Sequence, residues 1–279
     1  MTFLEDDTKN ICSLYESGTS SMKIAIQYNC SYPTITKLLK QNNVSIRQPT
    51  DRKRTHKLVN ENYFDEIDTE EKAYVLGFFY ADAYNGTDGY QIALNLANKD
   101  LEILKKFSNI FYGKEKLYCY KDYASLVIYS KKMSLRLHEL GCMQRKTFLI
   151  TFPDFLTEKL QRHFIRGYFD GDGCLYVGEK FGKVLIASTE NVLTPIQDIL
   201  QQKLNITSQI VKPKNKNIYY LNVTGNRQTK VFLDWMYNDS NIFLERKWVK
   251  NLEFQNMYDG LDRRRANNYN QNLKNVRIS

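Results

Sequence analysis

Two aspartates, Asp82 and Asp172, lie 90 residues apart at the ends of two copies of one short pattern. The first copy reads VLGFFYADA over Val75–Ala83, and the second reads IRGYFDGDG over Ile165–Gly173. Paired carboxylates with open coordination positions suit Mg²⁺, which prefers oxygen ligands, keeps several waters and bridges phosphate oxygens. Two such ions can activate a water molecule and stabilise the leaving oxygen of a phosphodiester. The doubled acid therefore predicts metal-assisted phosphodiester hydrolysis.

Two helices must bring these acids together. Gly77 and Gly167 lie five residues before Asp82 and Asp172, and a glycine inside a helix costs about 1 kcal/mol relative to alanine. Close approach of two helix backbones explains such a glycine. We therefore expect the motif helices to pack through the glycines and to present both carboxylates at their shared end. That end carries the negative poles of both helix dipoles, so cations would remove the repulsion.

The residues around each motif repeat the same order of elements. Each motif precedes an alternating segment, YQIALNLAN or KVLIAST, which predicts a strand. An amphipathic helix follows, and in the second half Thr194 would cap it with Pro195 in its first turn. A hairpin and a closing helix complete each half. This order predicts an α+β protein with two halves, residues 60–150 and 151–243, each built on an antiparallel sheet.

The first 46 residues predict a separate, all-α DNA-binding domain. Ser20 or Ser21 can cap one short helix, Ser31 can cap the next, and Asn29 lies where the turn needs a positive φ. The pattern is that of a helix-turn-helix and resembles the resolvase-type version; a plain helical hairpin is the alternative. The outward residues of the second helix would contact bases and phosphates: Tyr32, Thr34, Thr36, Lys37 and Lys40.

Two basic segments lie outside the halves. Residues 47–59 are polar and without period, which predicts a linker, either a solvated spacer or a segment along a DNA groove. Its candidate DNA contacts are Arg47, Arg52, Lys53 and Arg54. Residues 244–279 predict a helix packed on the second half and then a basic tail, which is either flexible or bound to DNA.

The charge balance favours a polyanionic partner. Lys+Arg 40 exceed Asp+Glu 31, for a formal net charge of +9, which favours nucleic acid. No apolar run approaches the ~20 residues of a membrane span, and the acidic N-terminus is unlike a signal peptide. The five scattered cysteines predict reduced thiols and no zinc site. We therefore expect a cytoplasmic protein without a membrane partner, bound to the nucleoid of a bacterial or phage-infected cell.

The two motifs resemble the signature motifs of LAGLIDADG homing endonucleases, and the resemblance covers residues 63–237. It implies a monomer whose two pseudo-symmetric halves each lay a four-stranded saddle in the major groove. It also implies that Asp82 and Asp172, together with Ala81 and Gly171, hold two or three Mg²⁺ or Mn²⁺ ions between the halves. The substrate would be double-stranded DNA with a long specific target site.

The first motif departs from the family pattern. Tyr80 replaces the first acid and Ala83 the final glycine, so the two metal sites are expected to be unequal. His163, two residues before the second motif, is expected on a helix surface. The resemblance also implies a supporting basic residue near the end of a late strand. Its candidates, each alternatively a surface charge, are Lys131, Lys132, Arg227 and Lys230.

The resemblance further implies that alternate polar strand residues face the DNA. They are Gln91, Asn95, Lys116, Lys121, Lys183, Lys212, Lys214, Lys216 and Asn222. The run KPKNKN, which includes three of these lysines, is alternatively a solvated hairpin tip.

Two other functions are compatible with the resemblance. Some transcriptional regulators combine this fold with a helix-turn-helix and do not cleave DNA, and some family members are RNA maturases. The presence of both motif acids favours an endonuclease over the regulator.

Overall fold

The computed structural model describes residues 3–47, 58–86, 89–142, 149–214 and 216–276, with side chains as far as residue 264. The chain divides into two units, Met1–Lys57 and Leu58–Ser279. Residues 48–57, which include the predicted contacts Arg52, Lys53 and Arg54, lie outside the described residues. Within the described residues, no helix is long and apolar enough to cross a membrane. All five cysteines are free.

The N-terminal unit contains three short helices, α1 (Glu5–Glu16), α2 (Ser21–Gln27) and α3 (Tyr32–Gln41). The Ser20 and Ser31 side chains cap α2 and α3 by accepting backbone N–H groups, which satisfies donors that a helix start leaves unpaired. The residue at the turn, Asn29, has φ 47, so the predicted left-handed turn is confirmed. A small apolar core joins the three helices. The DNA-binding role of the N-terminal unit stays a prediction.

The first half of the second unit runs from helix to helix through a four-stranded sheet. Its elements are α4 (Glu70–Asp82), β1 (Tyr84–Asn85), β2 (Gln91–Ala97), a 3₁₀ turn (Asn98–Asp100), α5 (Leu101–Tyr112), β3 (Tyr118–Cys119), β4 (Tyr123–Tyr129) and α6 (Lys131–Glu139). The strands form an antiparallel sheet in the order β1-β2-β4-β3, which we call sheet A.

The second half repeats this order. Its elements are α7 (Glu158–Asp172), β5 (Gly173–Val177), β6 (Gly182–Ser188), α8 (Glu190–Leu204), β7 (Ser208–Val211), β8 (Tyr219–Thr224) and α9 (Asn226–Tyr237), followed by α10 (Glu245–Val276). The strands form sheet B in the order β5-β6-β8-β7. The predicted α+β fold of two αββαββα halves is therefore confirmed, and α10 extends well into the predicted tail.

Helix α8 begins earlier than the sequence predicts. It starts at Glu190 after Thr189, so Pro195 lies inside the helix and not in its first turn. A proline has no N–H for the carbonyl four residues earlier, here that of Asn191. The backbone N–H of Phe152 donates to this carbonyl instead (3.2 Å). A tertiary contact that the local pattern does not show therefore compensates the missing helical bond.

The motif helices α4 and α7 form the centre of the second unit. All residues of α4 from Ala73 to Tyr80 are buried, including its glycine, as expected for a helix that is apolar on every side. The core continues from these helices to the inner faces of both sheets, where Leu94 and Leu126 of sheet A and Ile186 and Leu221 of sheet B are buried. Both sheets thus pack one face on the motif helices and leave the other face open.

Candidate functional site

The two motif helices touch backbone to backbone. A Cβ atom added to Gly77 would lie 2.1 Å from the carbonyl oxygen of Phe164, and one added to Gly167 would lie 2.0 Å from that of Tyr74. No side chain fits at such distances, so only glycine allows this approach. The structure thus places both predicted interface glycines at the crossing of α4 and α7.

The motif acids emerge where these helices end together. Helices α4 and α7 end at Asp82 and Asp172, and both side chains are exposed. An added Cβ on Gly171 would lie 2.3 Å from the Cβ of Ala81 and 3.0 Å from Oδ2 of Asp82. The carboxylate of Asp82 therefore lies against the backbone of the second motif. All four predicted metal-site residues thus lie at this end of the crossing.

The charges of both motif acids affect the pKa of the buried Tyr168. Burial, a hydrogen bond with Asp172 and the nearby charge of Asp82 raise the pKa of its phenol, burial most strongly. Its hydroxyl also lies 2.7 Å from the Ser188 hydroxyl, at the end of β6. Since the phenol stays protonated, it can donate to the Asp172 carboxylate and orient it. The sequence did not predict roles for Tyr168 or Ser188.

A cavity of about 440 Å³ opens beside Asp172. Tyr168, Ser188, Lys216 and Asn217 are among the residues that line it. Lys216 belongs to the β7–β8 connection, which the sequence assigned either to DNA contact or to a solvated tip. Lys216 therefore lines the same cavity as the motif acid Asp172.

The donor set at the two acids fits a hydrated, oxygen-loving cation. Among the described residues, no three His, Cys, Asp or Glu side chains come together as a metal cage. Two exposed carboxylates remain, together with carbonyl oxygens that a helix end leaves without helical partners. Mg²⁺ commonly binds through one or two carboxylates while it keeps several waters and takes phosphate oxygens. The residues present therefore suit Mg²⁺ better than a metal that needs nitrogen or sulfur ligands.

Lys247 is a buried cation that the sequence reading missed. It lies on α10, and its Nζ donates to the carbonyl oxygens of Phe169 and Gly173, at the end of α7. Burial lowers the pKa of Lys247 to about 8, while the charges of Asp170 and, more weakly, Asp82 oppose this shift. A lysine here satisfies carbonyls at a helix C-terminus and stabilises its negative pole. It therefore places one positive charge behind the motif acids.

A sequence signal for Lys247 exists. Leu244, Lys247, Asn251 and Phe254 recur at helical spacing, and all four are buried in the structure. A lysine within the apolar stripe of an amphipathic helix is unusual, because buried lysines need partners. The predicted supporting residues lie near late strands, whereas Lys247 lies on α10, so the prediction does not include it.

The four predicted supporting residues lie on other helices. Lys131 and Lys132 begin α6, and Arg227 and Lys230 lie in the first turns of α9. Lys132 pairs with Asp65 (2.8 Å), and Lys230 pairs with Asp234 (2.7 Å). Arg227 is exposed, and the Nζ of Lys131 lies 5.7 Å from the ring centre of Tyr90. Their catalytic role stays a prediction. Lys247 is a further candidate for the supporting basic residue.

Asp170 is a buried anchor and not part of the exposed pair. Its carboxylate accepts the hydroxyls of Tyr74 (2.7 Å) and Tyr237 (2.6 Å) and the backbone N–H of Leu244 (2.7 Å). Burial raises its pKa, which the charge of Lys247 partly offsets. These bonds fix the start of α10 against α7 and thereby position Lys247. In the first half the equivalent residue, Tyr80, donates its hydroxyl to the carbonyl of Leu140.

His163 is buried, so its expected place on a helix surface is wrong. Beside it, the fully buried Arg166 donates to Glu70 (2.8 Å) and to the carbonyls of Met236 (2.8 Å) and Ile242 (3.1 Å). Burial opposes ionisation of Glu70, but the backbone N–H of Asn241 and the charge of Arg166 hold its pKa below the ordinary value. The arginine was unpredicted because its only sequence signal is a charge within an apolar helix.

The predicted nucleic-acid contacts divide by unit. In the N-terminal unit Tyr32, Lys37 and Lys40 of α3 are exposed, while Thr34 and Thr36 are half-buried. Arg47 donates to the carbonyls of Gly18 and Thr19 and stacks on the ring of Tyr15. Its contacts in the structure are therefore within its own unit, which is a structural role that the sequence did not predict.

In the second unit several predicted contacts share the open sheet faces. Gln91 and Asn95 lie on β2, Lys183 on β6 and Asn222 on β8. The remaining predicted residues lie at strand ends and in connections: Lys116, Lys121, Lys212, Lys214 and Lys216. Contact of these residues with DNA stays a prediction.

Residues 159–235 match the family model of a LAGLIDADG-like domain. A probable translation initiation factor IF-2 from Methanocaldococcus jannaschii is 25% identical over 207 residues, which are 69% of this chain and 18% of that protein. The chain thus spans less than a fifth of the length of this relative. The activity in the name of this relative is therefore not assigned to this chain.

Solved structures of DNA-bound enzymes resemble the fold. The meganuclease I-AabMI bound to uncleaved DNA is 13% identical, covers 70% of this chain and 91% of its own, and has a TM-score of 0.47. The homing endonuclease I-SmaMI bound to cleaved DNA is 14% identical, covers 69% and 90%, and also has a TM-score of 0.47. The match to a LAGLIDADG-like domain thus runs from α7 into α9 of the second half.

Proposed function

We propose that this chain is a site-specific double-strand DNA endonuclease that acts as a monomer. The observation that carries the proposal is the place of Asp82, whose carboxylate lies against Gly171 at the shared end of the motif helices. Both acids of the site belong to one chain, so a single copy suffices to form it. The match of residues 159–235 to a LAGLIDADG-like domain supports the same activity.

Asp82 and Asp172, with the carbonyls of Ala81 and Gly171, would hold two or three Mg²⁺ or Mn²⁺ ions. Such ions, when bound, lower the pKa of water and neutralise charge on the phosphate. In hydrolysis the water oxygen bonds to phosphorus, the bond to one bridging oxygen breaks, and that oxygen takes up a proton. The chain orients the Asp172 carboxylate through Tyr168, while the positive charge of Lys247 acts on Asp82.

Recognition would come from three surfaces. The open faces of sheets A and B would lie in the major groove, where base edges are distinguishable. Exposed lysines at strand ends would contact phosphates, which supply affinity without sequence information. In the N-terminal unit, α3 would act as a recognition helix and lengthen the target site.

The test is cleavage by the full chain. A randomised duplex library is first selected for binding in EDTA, and the selected target is then incubated with Mg²⁺. We expect double-strand cleavage that needs the cation. Asp82→Asn and Asp172→Asn should each lower cleavage of at least one strand by about 100-fold or more. Binding should stay within about threefold, since the fold and the recognition surfaces are unchanged.

Asp198→Asn is the matched control, because Asp198 is an exposed acid on α8 and should leave cleavage unchanged. Full double-strand cleavage by either motif variant would contradict the proposed role of the acids. Specific duplex binding without cleavage in Mg²⁺ or Mn²⁺ would instead identify a regulator. Preferential binding of structured RNA with no duplex selection would identify a maturase.

A further inference from the structure

The open face of sheet A is rich in tyrosine. Strand pairing places Tyr129 opposite Gln91 and Tyr123 opposite Ala97 across β2 and β4. Tyr84 of β1 pairs with Ala93, and Tyr118 of β3 pairs with Ser125, so these rings belong to the same face. The four tyrosines are 42–53% exposed. Since the intervening residues of β2 and β4 are buried, this tyrosine face is the one that can meet a partner.

The tyrosine face carries no charged strand residue. All residues of β1, β2, β3 and β4 are described, and the others on this face are alanine, valine, serine and the amides Gln91 and Asn95. In the major groove, arginine and lysine read guanine, asparagine and glutamine read adenine, and apolar groups contact the thymine methyl. The face therefore holds readers for adenine and thymine and lacks the residues that read guanine.

Cations lie at the ends of the strands around this face. Lys116 precedes β3, Lys121 lies between β3 and β4, and Lys131 follows β4. The acids Glu115 and Asp122 lie beside the first two of these lysines. An uncharged centre with lysines at its rim matches the major groove of a duplex, where uncharged base edges lie between two rows of phosphates. This charge pattern favours duplex DNA as the occupant over an acidic protein, which would need cations at the centre.

Sheet B differs at the equivalent places. Its open face includes Lys183 on β6, which pairs with Thr224 of β8 and Tyr176 of β5. The polar residues Gln209 and Asn222 pair beside them on β7 and β8. A lysine within the strands allows a guanine contact that sheet A does not offer. The two sheets therefore present different chemistry to a partner of pseudo-symmetric shape.

We infer that sheet A reads an A·T-rich half-site through contact of its tyrosines with thymine methyl groups, whereas sheet B reads a half-site of mixed composition. The inference rests on the proposed function, and it names the sequence class that one half of the target must have. Tyrosine suits this role because a rigid ring gives apolar contact area at a low cost in conformational entropy.

The first step of the test assigns the half-sites. The full chain and its Asn95→Ala and Asn222→Ala variants are each used to select duplexes from a random library in EDTA. Asn95→Ala should relax the consensus in one half only, and Asn222→Ala should relax it in the other. The half that responds to Asn95→Ala should be rich in A·T base pairs.

The second step removes thymine methyl groups without changing the protein. The thymines at the consensus positions of the sheet A half-site are replaced by uracil. The dissociation constant of the chain for this duplex is then measured. We expect about fourfold weaker binding for each contacted methyl, the value for one buried CH₂. The same replacement in the sheet B half-site is the control and should change affinity less than twofold.

A third step links the methyl groups to the rings. Tyr129→Ala should weaken binding to thymine DNA, and its effect should shrink on uracil DNA because both changes remove one contact. Tyr176→Ala in sheet B should act independently of uracil in the sheet A half-site. Since Tyr129 and Tyr176 are exposed, both variants should fold.

The outcomes separate the inference from the proposed function. A chain that selects no duplex sequence, or prefers single-stranded RNA, refutes both. A chain that binds and cleaves a specific duplex refutes only the inference if the sheet A half-site is G·C-rich. The same holds if uracil in that half-site changes affinity less than twofold.

Discussion

Replacement of Gly77 by alanine tests the contact that aligns the motif acids. The new Cβ would lie 2.1 Å from the carbonyl oxygen of Phe164 and 2.9 Å from the backbone nitrogen of Tyr168. An ordinary contact begins at 3.4 Å, so α4 and α7 must separate locally by roughly 1 Å. Because the obstacle is backbone and not a flexible side chain, it cannot rotate away.

The expected cost follows from two opposing effects. Overpacking of a tight core costs about 1–3 kcal/mol, and a forced helix separation belongs at the upper end of that range. Alanine also favours helix by about 1 kcal/mol relative to glycine. Gly77→Ala should therefore lower the free energy of unfolding by about 2 kcal/mol, which is a fall in Tm of roughly 4–8 °C for a unit of this size.

Gly260 supplies the matched control. It is also a helical glycine, but an added Cβ there would meet only the Arg264 guanidinium, at 4.0 Å. Gly260→Ala should therefore raise stability by up to about 1 kcal/mol through helix propensity alone. Thermal and urea unfolding of both variants decides the matter. If Gly77→Ala proves as stable as Gly260→Ala, the backbone contact of the motif helices does not exist.

Two further predictions concern buried charged and titratable groups. Burial, reinforced by the charge of Arg166, lowers the pKa of His163 to about 4 from 6.5. The unfolded chain therefore takes the proton first, so the stability from neutral His163 is complete above pH 6.5 and is lost as pH falls towards 4. That loss should reach about 3 kcal/mol by pH 4, and urea unfolding of His163→Asn should show a correspondingly weaker pH dependence. Lys247→Met should lower cleavage by about tenfold or more while the dissociation constant for the target stays within threefold, because Lys247 acts at the acids and not at the DNA. Lys250→Met, one turn away in an exposed pair with Glu253, should change neither quantity, and equal losses in both variants would show that the effect is not specific to Lys247.

The doubled motif predicts the fold well because repetition is visible in the sequence itself. The spacing of Gly77 from Asp82 and of Gly167 from Asp172 is sufficient to predict two crossing helices with acids at one end. The order of strand and helix patterns in each half is sufficient to predict two antiparallel sheets. The sequence is informative here because backbone geometry and residue spacing determine the outcome.

The residues that were missed depend on contacts between distant segments. Asp170 becomes a buried anchor only because Tyr74 and Tyr237, which are 96 and 67 residues away, supply hydroxyl groups. Lys247 reaches the carbonyls of Phe169 and Gly173, at the end of α7, from α10, which this anchor fixes. The early start of α8 depends on Phe152, which lies outside this helix and donates its backbone N–H to the carbonyl of Asn191. The residue spacing within one helix or strand does not show which distant residues will contact it.

The buried polar contacts between the halves bear on the ancestry of the chain. In a symmetric dimer of two identical halves, each motif helix would meet its own copy. The offset of 90 residues aligns Tyr74 with Phe164 and Glu70 with Leu160. In a dimer of the second half alone, Asp170 would face a phenylalanine without a hydroxyl, and the buried Arg166 would face a leucine without a charge. The two halves have therefore diverged beyond exchange, and the second half can no longer replace the first.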